Sequence, residues 1–209
     1  MEPTREGKFI VLDGIDGCGK GTQTKLLSDF LIQKGYKVVN KHYPEYGQPI
    51  GDIINEWLHK KYDFNVESQV LLYFADFIKD KQLIGETVKN SGIMLADRYF
   101  TTTIVYQHLK GFPLENLIKL ADLFELPKPD LSILIRISAE TSLARKSKQK
   151  PDRLDRHEED KKFQSSLAET FEKIAAQKAL CDWEIVDGEQ PIENVHQQIV
   201  EILHKKFKI

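Results

Sequence analysis

Cysteine is nearly absent. Cys18 and Cys181 are the two in 209 residues, which excludes a disulfide framework and a cysteine-rich metal site. That scarcity suits a reducing compartment and predicts a cytoplasmic protein. Excess charge of either sign is also missing. The formal net charge of −2 gives no footing to a nucleic-acid polymer or a membrane surface as partner. No apolar run approaches the ~20 residues needed to span a bilayer. The first residues, MEPTREGK, are charged where a secretory leader would carry an apolar stretch. Repeats and low-complexity linkers are not seen. What is present is a chain of one-domain length, with 41% hydrophobic and 10% aromatic residues, enough for a packed core.

The most telling stretch is FIVLDGIDGCGKGTQTKLL, residues 9–27. A short apolar run leads into a glycine-rich loop with one lysine, and a helical pattern follows. Glycines let the backbone approach phosphate oxygens, loop N–H groups point inward, and Lys20 adds a point charge beside a helix N-terminus. The strict pattern wants Ser or Thr directly after the lysine; here Gly21 stands there and Thr22 follows. A bound nucleotide is predicted, with Gly14, Gly17, Cys18, Gly19, Lys20, Gly21 and Thr22 around the ATP phosphates.

Strand-like and helix-like stretches alternate to the end of the chain. Strands are predicted at 9–12, 36–40, 92–96, 131–137 and 183–186. Helices are predicted at 25–34, 50–60, 68–89, 114–124, around 163–174, and after Pro191. This alternation implies an α/β fold with a central five-stranded parallel sheet between two helix layers. The polar segment 145–162 is either a solvated loop entering a helix or a lid over phosphates.

A second signal is LADRYFTTTIVYQ, residues 95–107. Here a strand end delivers Asp97 and Arg98 together. In a parallel sheet ligands bind beyond the carboxyl ends of the strands, the edge to which the first strand also carries its loop. Asp97 is placed to orient magnesium-bound water and Arg98 to bridge phosphates with its planar fork; a structural ion pair is the plain alternative.

With these residues the chain resembles the thymidylate kinases over almost its whole length. The resemblance rests on the loop 14–22, on YPEYGQ at 43–48 and on LLYFAD at 71–76. It includes Asp97-Arg98-Tyr99 with Thr102, Thr103, Tyr106 and Gln107, and Lys128-Pro129-Asp130. The segment 151–155 and Asp187-Gly188 complete it. It implies a single three-layer α/β/α P-loop kinase domain over 1–209 with a short lid at about 145–160. The implied reaction moves the γ-phosphoryl of ATP to dTMP with Mg2+, and such proteins usually pair as homodimers.

The resemblance also implies roles. Asp16 lies near the acceptor's 3′-hydroxyl and, with Asp97, near the metal. Tyr46 meets the acceptor phosphate. Tyr43 and Tyr73 pack on the acceptor, with Tyr73 stacking on the base, although Tyr43 is equally a core residue. Thr102 and Thr103 face the pyrimidine edge or cap a helix. Tyr106 leaves no room for a ribose 2′-hydroxyl, and Gln107 either touches the base or lies exposed on a helix. Lys20, Arg98 and Asp16 are the expected catalytic residues together with one lid arginine. Family members carry that arginine in the phosphate loop or in the lid. Gly17 occupies the loop position, so the lid's Arg145, Arg153 and Arg156 are its source, with Arg153 favoured.

Two departures bear on function. Gly21 removes a hydroxyl that commonly ligates magnesium, shifting that duty to Asp16 and Asp97. Phe77 stands where the family usually has an arginine reading the thymine 4-oxo group, so another residue reads the base or the preferred base differs. A kinase for another pyrimidine monophosphate such as dUMP is therefore the first alternative. A non-catalytic nucleotide-binding module is the second. Asn40-Lys41-His42-Tyr43 begins like a guanine reader but fails at its fourth position.

Overall fold

The computed structural model describes residues 6–149 and 161–209. Its strands are β1 (Lys8–Asp13), β2 (Val38–His42), β3 (Ile93–Asp97), β4 (Leu131–Arg136) and β5 (Trp183–Asp187). They form one parallel sheet in the order β2-β3-β1-β4-β5. The three central strands are rich in apolar residues because both of their faces are covered; Ile10, Val11, Leu12, Met94, Leu95, Ile133 and Ile135 are all buried.

The helices are α1 (Lys20–Gln33), α2 (Pro49–Leu58), α3 (Val66–Ile78), α4 (Lys81–Lys89), α5 (Phe100–Leu109), α6 (Leu114–Leu123), α7 (Ala139–Gln149), α8 (Lys161–Ala176) and α9 (Ile192–Phe207). From β1 the chain steps to β2 on one side, and later strands return towards the other. Right-handed crossovers then put α1 on the face opposite α3, α5 and α8. Accordingly α1 packs on α9, while α5 packs on α3 and α8. This is the three-layer α/β/α arrangement expected from the alternation.

The register aligns the strand ends. Leu12 pairs with Asp97, His42 with Asp97, Asp13 with Leu134, and Arg136 with Asp187. All five strands therefore deliver their following loops to one edge, and β1 delivers its loop at the middle of it, between the loops of β3 and β4. At the far end of α1, Gly35 (φ 81°) closes the helix with bonds from its own N–H to Ile32 and from Tyr36 to Leu31, the paired cap that a left-handed residue permits.

One predicted element is corrected. The helix expected over 68–89 is two helices, α3 and α4, broken at Lys79 and Asp80. Asp80 leaves helical geometry (φ −97°, ψ 6°) and its carboxylate is held elsewhere. It accepts from Tyr43 Oη at 2.8 Å and pairs with Lys41 and Lys79, each at 3.1 Å. Apolar spacing continues through the break, so periodicity alone could not reveal it. Two helices not assigned from the sequence are also present. α5 follows Asp97-Arg98, and α7 carries Arg145 into the start of the polar segment. Residues 150–160 of that segment, with Asp152, Arg153, Asp155 and Arg156, lie outside the described residues.

Candidate active site

The loop between β1 and α1 depends on glycine. Gly14 has φ 140°, and a β-carbon there would meet the Ile135 carbonyl oxygen at 2.6 Å. Gly17 has φ 78°, and its β-carbon would stand 3.1 Å from the Ser142 carbonyl oxygen. Gly19 (φ 99°) caps α1 and has open space where a side chain would be. The first turn of α1 has no acidic residue. Its unpaired amides and partial positive charge are therefore left for an anion. Lys20 is largely buried, its ammonium folded back onto the carbonyl oxygens of Gly14 (3.0 Å) and Ile15 (3.1 Å).

Arg98 holds the loop from the β3 side. Its backbone lies in the left-handed region (φ 67°), a conformation that costs a non-glycine residue about 1–3 kcal/mol. Three contacts oppose that cost. Arg98 N–H donates to the Leu12 carbonyl at 3.0 Å, Nη1 to the Gly14 carbonyl at 3.2 Å, and Nη2 to Asp16 Oδ1 at 2.5 Å. The guanidinium also lies 5.9 Å from the centre of the Tyr106 ring. Burial pushes the Asp16 carboxyl upward, but Arg98, Lys20 and Lys146 outweigh it and hold Asp16 below the ordinary carboxylate range. Asp16 is thus an anion paired with a permanent cation.

Asp97 stands at the start of α1. A β-carbon on Gly21 would come within 3.7 Å of Asp97 Oδ2. Asp16 and Asp97 together supply two carboxylates beside a phosphate loop. No group of three or more His, Cys, Asp or Glu residues placed to hold a metal is found among the described residues. That donor set fits magnesium, which usually takes one or two carboxylates and completes its shell with phosphate oxygens and water.

These groups border a cleft of about 600 Å³. Lys20, Gly17, Gly19, Gly21, Thr22, Asp16, Asp97 and Arg98 line it, together with Tyr43, Tyr46, Tyr73, Phe77, Thr102, Thr103, Tyr106 and Gln107. Gly14 and Cys18 are not among the lining residues; Cys18 is buried behind the loop with Sγ 3.7 Å from Lys20 Nζ. Tyr43 is both core and wall. It is almost fully buried, yet it borders the cleft. Burial and then the Asp80 carboxylate push its phenol far above the ordinary range. Phe77 is packed edge-on to Tyr43 (5.0 Å between centroids) and Tyr99 (5.1 Å). Gln107 is buried rather than exposed.

Several contributors take roles that the sequence did not assign. Asp13, at the end of β1, is wholly buried and accepts from Thr101, Thr102 and, at 3.0 Å, Ser132. The Thr102 hydroxyl donates to Asp13, while Thr102 itself still borders the cleft. A charged residue closing an apolar strand just before Gly14 was the available hint. Arg145, weighed above as a lid arginine, donates to the carbonyls of Gly17 (3.3 Å) and Gly188 (3.0 Å). It ties α7 to the phosphate loop and to the turn after β5. Asn55, Leu58 and His59 reach the cleft from α2, with His59 Nδ1 2.8 Å from the Asn55 carbonyl oxygen. Beneath the cleft, Lys79 joins Glu45 (2.9 Å), Asp76 (2.9 Å) and Asp80, pinning the 43–46 segment to α3.

Known proteins share this arrangement of sequence. The family model for thymidylate kinase matches residues 12–199. A thymidylate kinase of Thermoanaerobacter sp. (strain X514) is 30% identical over 206 residues, covering 96% of this chain and 98% of the relative. One from Prochlorococcus marinus (strain AS9601) is 32% identical over 213 residues, covering 97% and 98%. One from Caldicellulosiruptor saccharolyticus is 32% identical over 208 residues, with the same coverage.

Proposed function

The chain belongs to the thymidylate kinase family, and from that premise we propose that it transfers the γ-phosphoryl group of ATP to the 5′-phosphate of dTMP, giving ADP and dTDP. The observation that carries this reading is the convergence of the Lys20 loop and the Asp97-Arg98 strand end on one aromatic-walled cleft.

The acceptor is a phosphate monoester with a second pKa of about 6. It is mostly dianionic at neutral pH and needs no general base. The task is to bring two anions into line and to offset their charge. Loop amides and Lys20 hold the donor's β and γ phosphates, with Lys20 exchanging its carbonyl contacts for phosphate oxygens. Arg98, already aimed by Asp16 and Gly14, lies across the transferring group. A lid arginine, with Arg153 favoured, adds further positive charge. Asp16 and Asp97 would hold magnesium together with the ATP phosphates, and the ion would supply charge that offsets that of the phosphates.

On the acceptor side, Tyr73 stacks on the base, Tyr46 meets the acceptor phosphate, and Tyr106 fills the space a ribose 2′-hydroxyl would need. We read the chain as one kinase domain that pairs with a second copy. The exposed Leu71, Leu123 and Phe124 support that pairing, and light scattering of the purified chain tests it. Among the described residues no helix is long and apolar enough to cross a membrane.

ADP release measured against a panel of nucleoside monophosphates tests the reaction. Release that depends on dTMP and Mg2+ is expected. Absence of release with every acceptor would leave only a nucleotide-binding module.

A further inference from the structure

The base end of the cleft has an unusual polarity. Where a family arginine would present a fixed donor, Phe77 is 2% exposed and locked among the rings of Tyr43, Tyr99 and Phe100. The Lys and Arg residues lining the cleft are Lys20, Arg98 and Lys146. They come from the phosphate loop, the end of β3 and α7, on the side where phosphates bind. Besides the phenols of Tyr43 and Tyr99, whose rings pack on Phe77, the cleft is lined by the amide residue Gln107 and by Thr103, one helical turn apart on α5. Gln107 is 1% exposed, and its side-chain carbonyl oxygen has no hydrogen-bond partner among the described residues. A buried, unsatisfied amide oxygen on a residue that lines a cleft is costly to leave so, and a turn of that side chain would offer it to a ligand.

We infer that this cleft accepts cytosine as well as thymine, making dCMP a second acceptor for the phosphoryl transfer proposed above, on which this inference rests. The reason is donor and acceptor symmetry. Thymine presents an N3–H donor beside the O4 acceptor, whereas cytosine presents an N3 acceptor beside the N4 amino donor. An arginine can only donate, so it suits O4 and repels the amino group. A glutamine amide carries both a carbonyl and an amino group and matches either edge by turning over. The Thr103 hydroxyl adapts by rotation in the same way. With Phe77 in the arginine's place, the surroundings lack the fixed donor that would penalise cytosine. In the reaction the bond from the γ-phosphorus to the ADP oxygen breaks and a bond to a phosphate oxygen of dCMP forms. ATP and dCMP become ADP and dCDP, with no other reactant.

The test compares kcat/KM for dTMP and dCMP on the full chain, with dCDP identified by chromatography. A pocket lacking a fixed polar reader separates substrates by roughly 10–200-fold, against about 10⁴–10⁵-fold where a buried reader is left unpaired. A dTMP to dCMP ratio below about 1,000 supports the inference and a larger one overturns it. Phe77→Arg should raise the ratio at least roughly tenfold by restoring a donor; an unchanged ratio in the folded variant overturns it. Gln107→Met does not depend on repacking the Phe77 cluster. It should weaken both acceptors by factors within about threefold of each other, because one amide serves both. A loss confined to dTMP would show an amide fixed for thymine and overturn the inference. Turnover of dTMP without dCMP sinks this inference alone, whereas turnover of neither sinks the kinase reading beneath it.

Discussion

Asp97 stands beside the position where Gly21 lacks a side chain, its Oδ2 3.7 Å from where a β-carbon on Gly21 would lie. The carboxylate thus occupies the neighbourhood in which related loops place a hydroxyl. Asp97→Asn removes half of the carboxylate pair and is expected to raise the Mg2+ concentration for half-maximal activity by roughly tenfold. The KM for dTMP should stay within about twofold, since the change touches no acceptor group. A magnesium titration at saturating ATP checks this; an unchanged midpoint would remove Asp97 from the metal site.

Arg98 is tied to Asp16 while held in a left-handed backbone conformation. Arg98→Ala is expected to cut kcat by at least about tenfold, because positioned charge at the transferring group contributes kilocalories to the barrier. Near wild-type turnover would refute the role. Asp16 has a depressed folded pKa, so the pair's stabilisation is fully present above the ordinary aspartate value of about 3.9 and is lost as pH falls through the lower folded value. The pair is therefore ionised across neutral pH. A fall in kcat near pH 6 should track the acceptor phosphate instead, and should keep its midpoint in an Asp16→Asn variant with residual activity.

Asp13 accepts three hydroxyl groups with no exposure to solvent. Asp13→Ala strands those hydroxyls and is expected to destabilise the fold by about 2–4 kcal/mol, with a smaller loss for Asp13→Asn. Denaturant melts measure both. Burial pushes the Asp13 carboxyl above its ordinary value despite the hydroxyls donated by Thr101, Thr102 and Ser132. A carboxyl with a raised folded pKa loses stability as pH climbs from about 4. The deficit of the Asn variant should accordingly narrow between acid and neutral pH.

Arg145 bridges the Gly17 and Gly188 carbonyls. Arg145→Ala frees the phosphate loop from α7 and is expected to raise the KM for ATP about tenfold, from the loss of charged hydrogen bonds. The KM for dTMP should change far less. Equal increases in both would point to general loosening of the fold.

Neither thiol is poised to react. Burial raises the Cys18 thiol, and burial again lifts that of Cys181 to about 12. Both remain protonated at pH 8, and the thiolate is the reactive form. A thiol reagent should label the native protein slowly and titrate two groups only in denaturant. Rapid loss of activity with the reagent would show an accessible Cys18.

The phosphate loop and the Asp97-Arg98 strand end could be read from the amino-acid order because each is contiguous. A strand, a glycine-rich turn and a helix start are local events, and parallel strands bring their ends to one edge. Short apolar runs likewise located the central strands, since burial on both faces favours apolar residues throughout. The break between α3 and α4 escaped because its cause, the bond from Tyr43 to Asp80, joins residues 37 apart. Asp13's hydroxyl partners lie 88, 89 and 119 residues away, and Arg145 reaches back 128 residues to Gly17. Gln107 looked equally like an exposed helix residue until packing buried it. By itself, then, the amino-acid order determined the glycine-rich loop and the helix start behind it, because backbone conformation and helix ends are set by neighbours in the chain. Tertiary structure alone decided which side chains are spent holding the frame and which, like Gln107, are left unpaired beside the cleft, because hydrogen-bond satisfaction depends on groups distant in sequence.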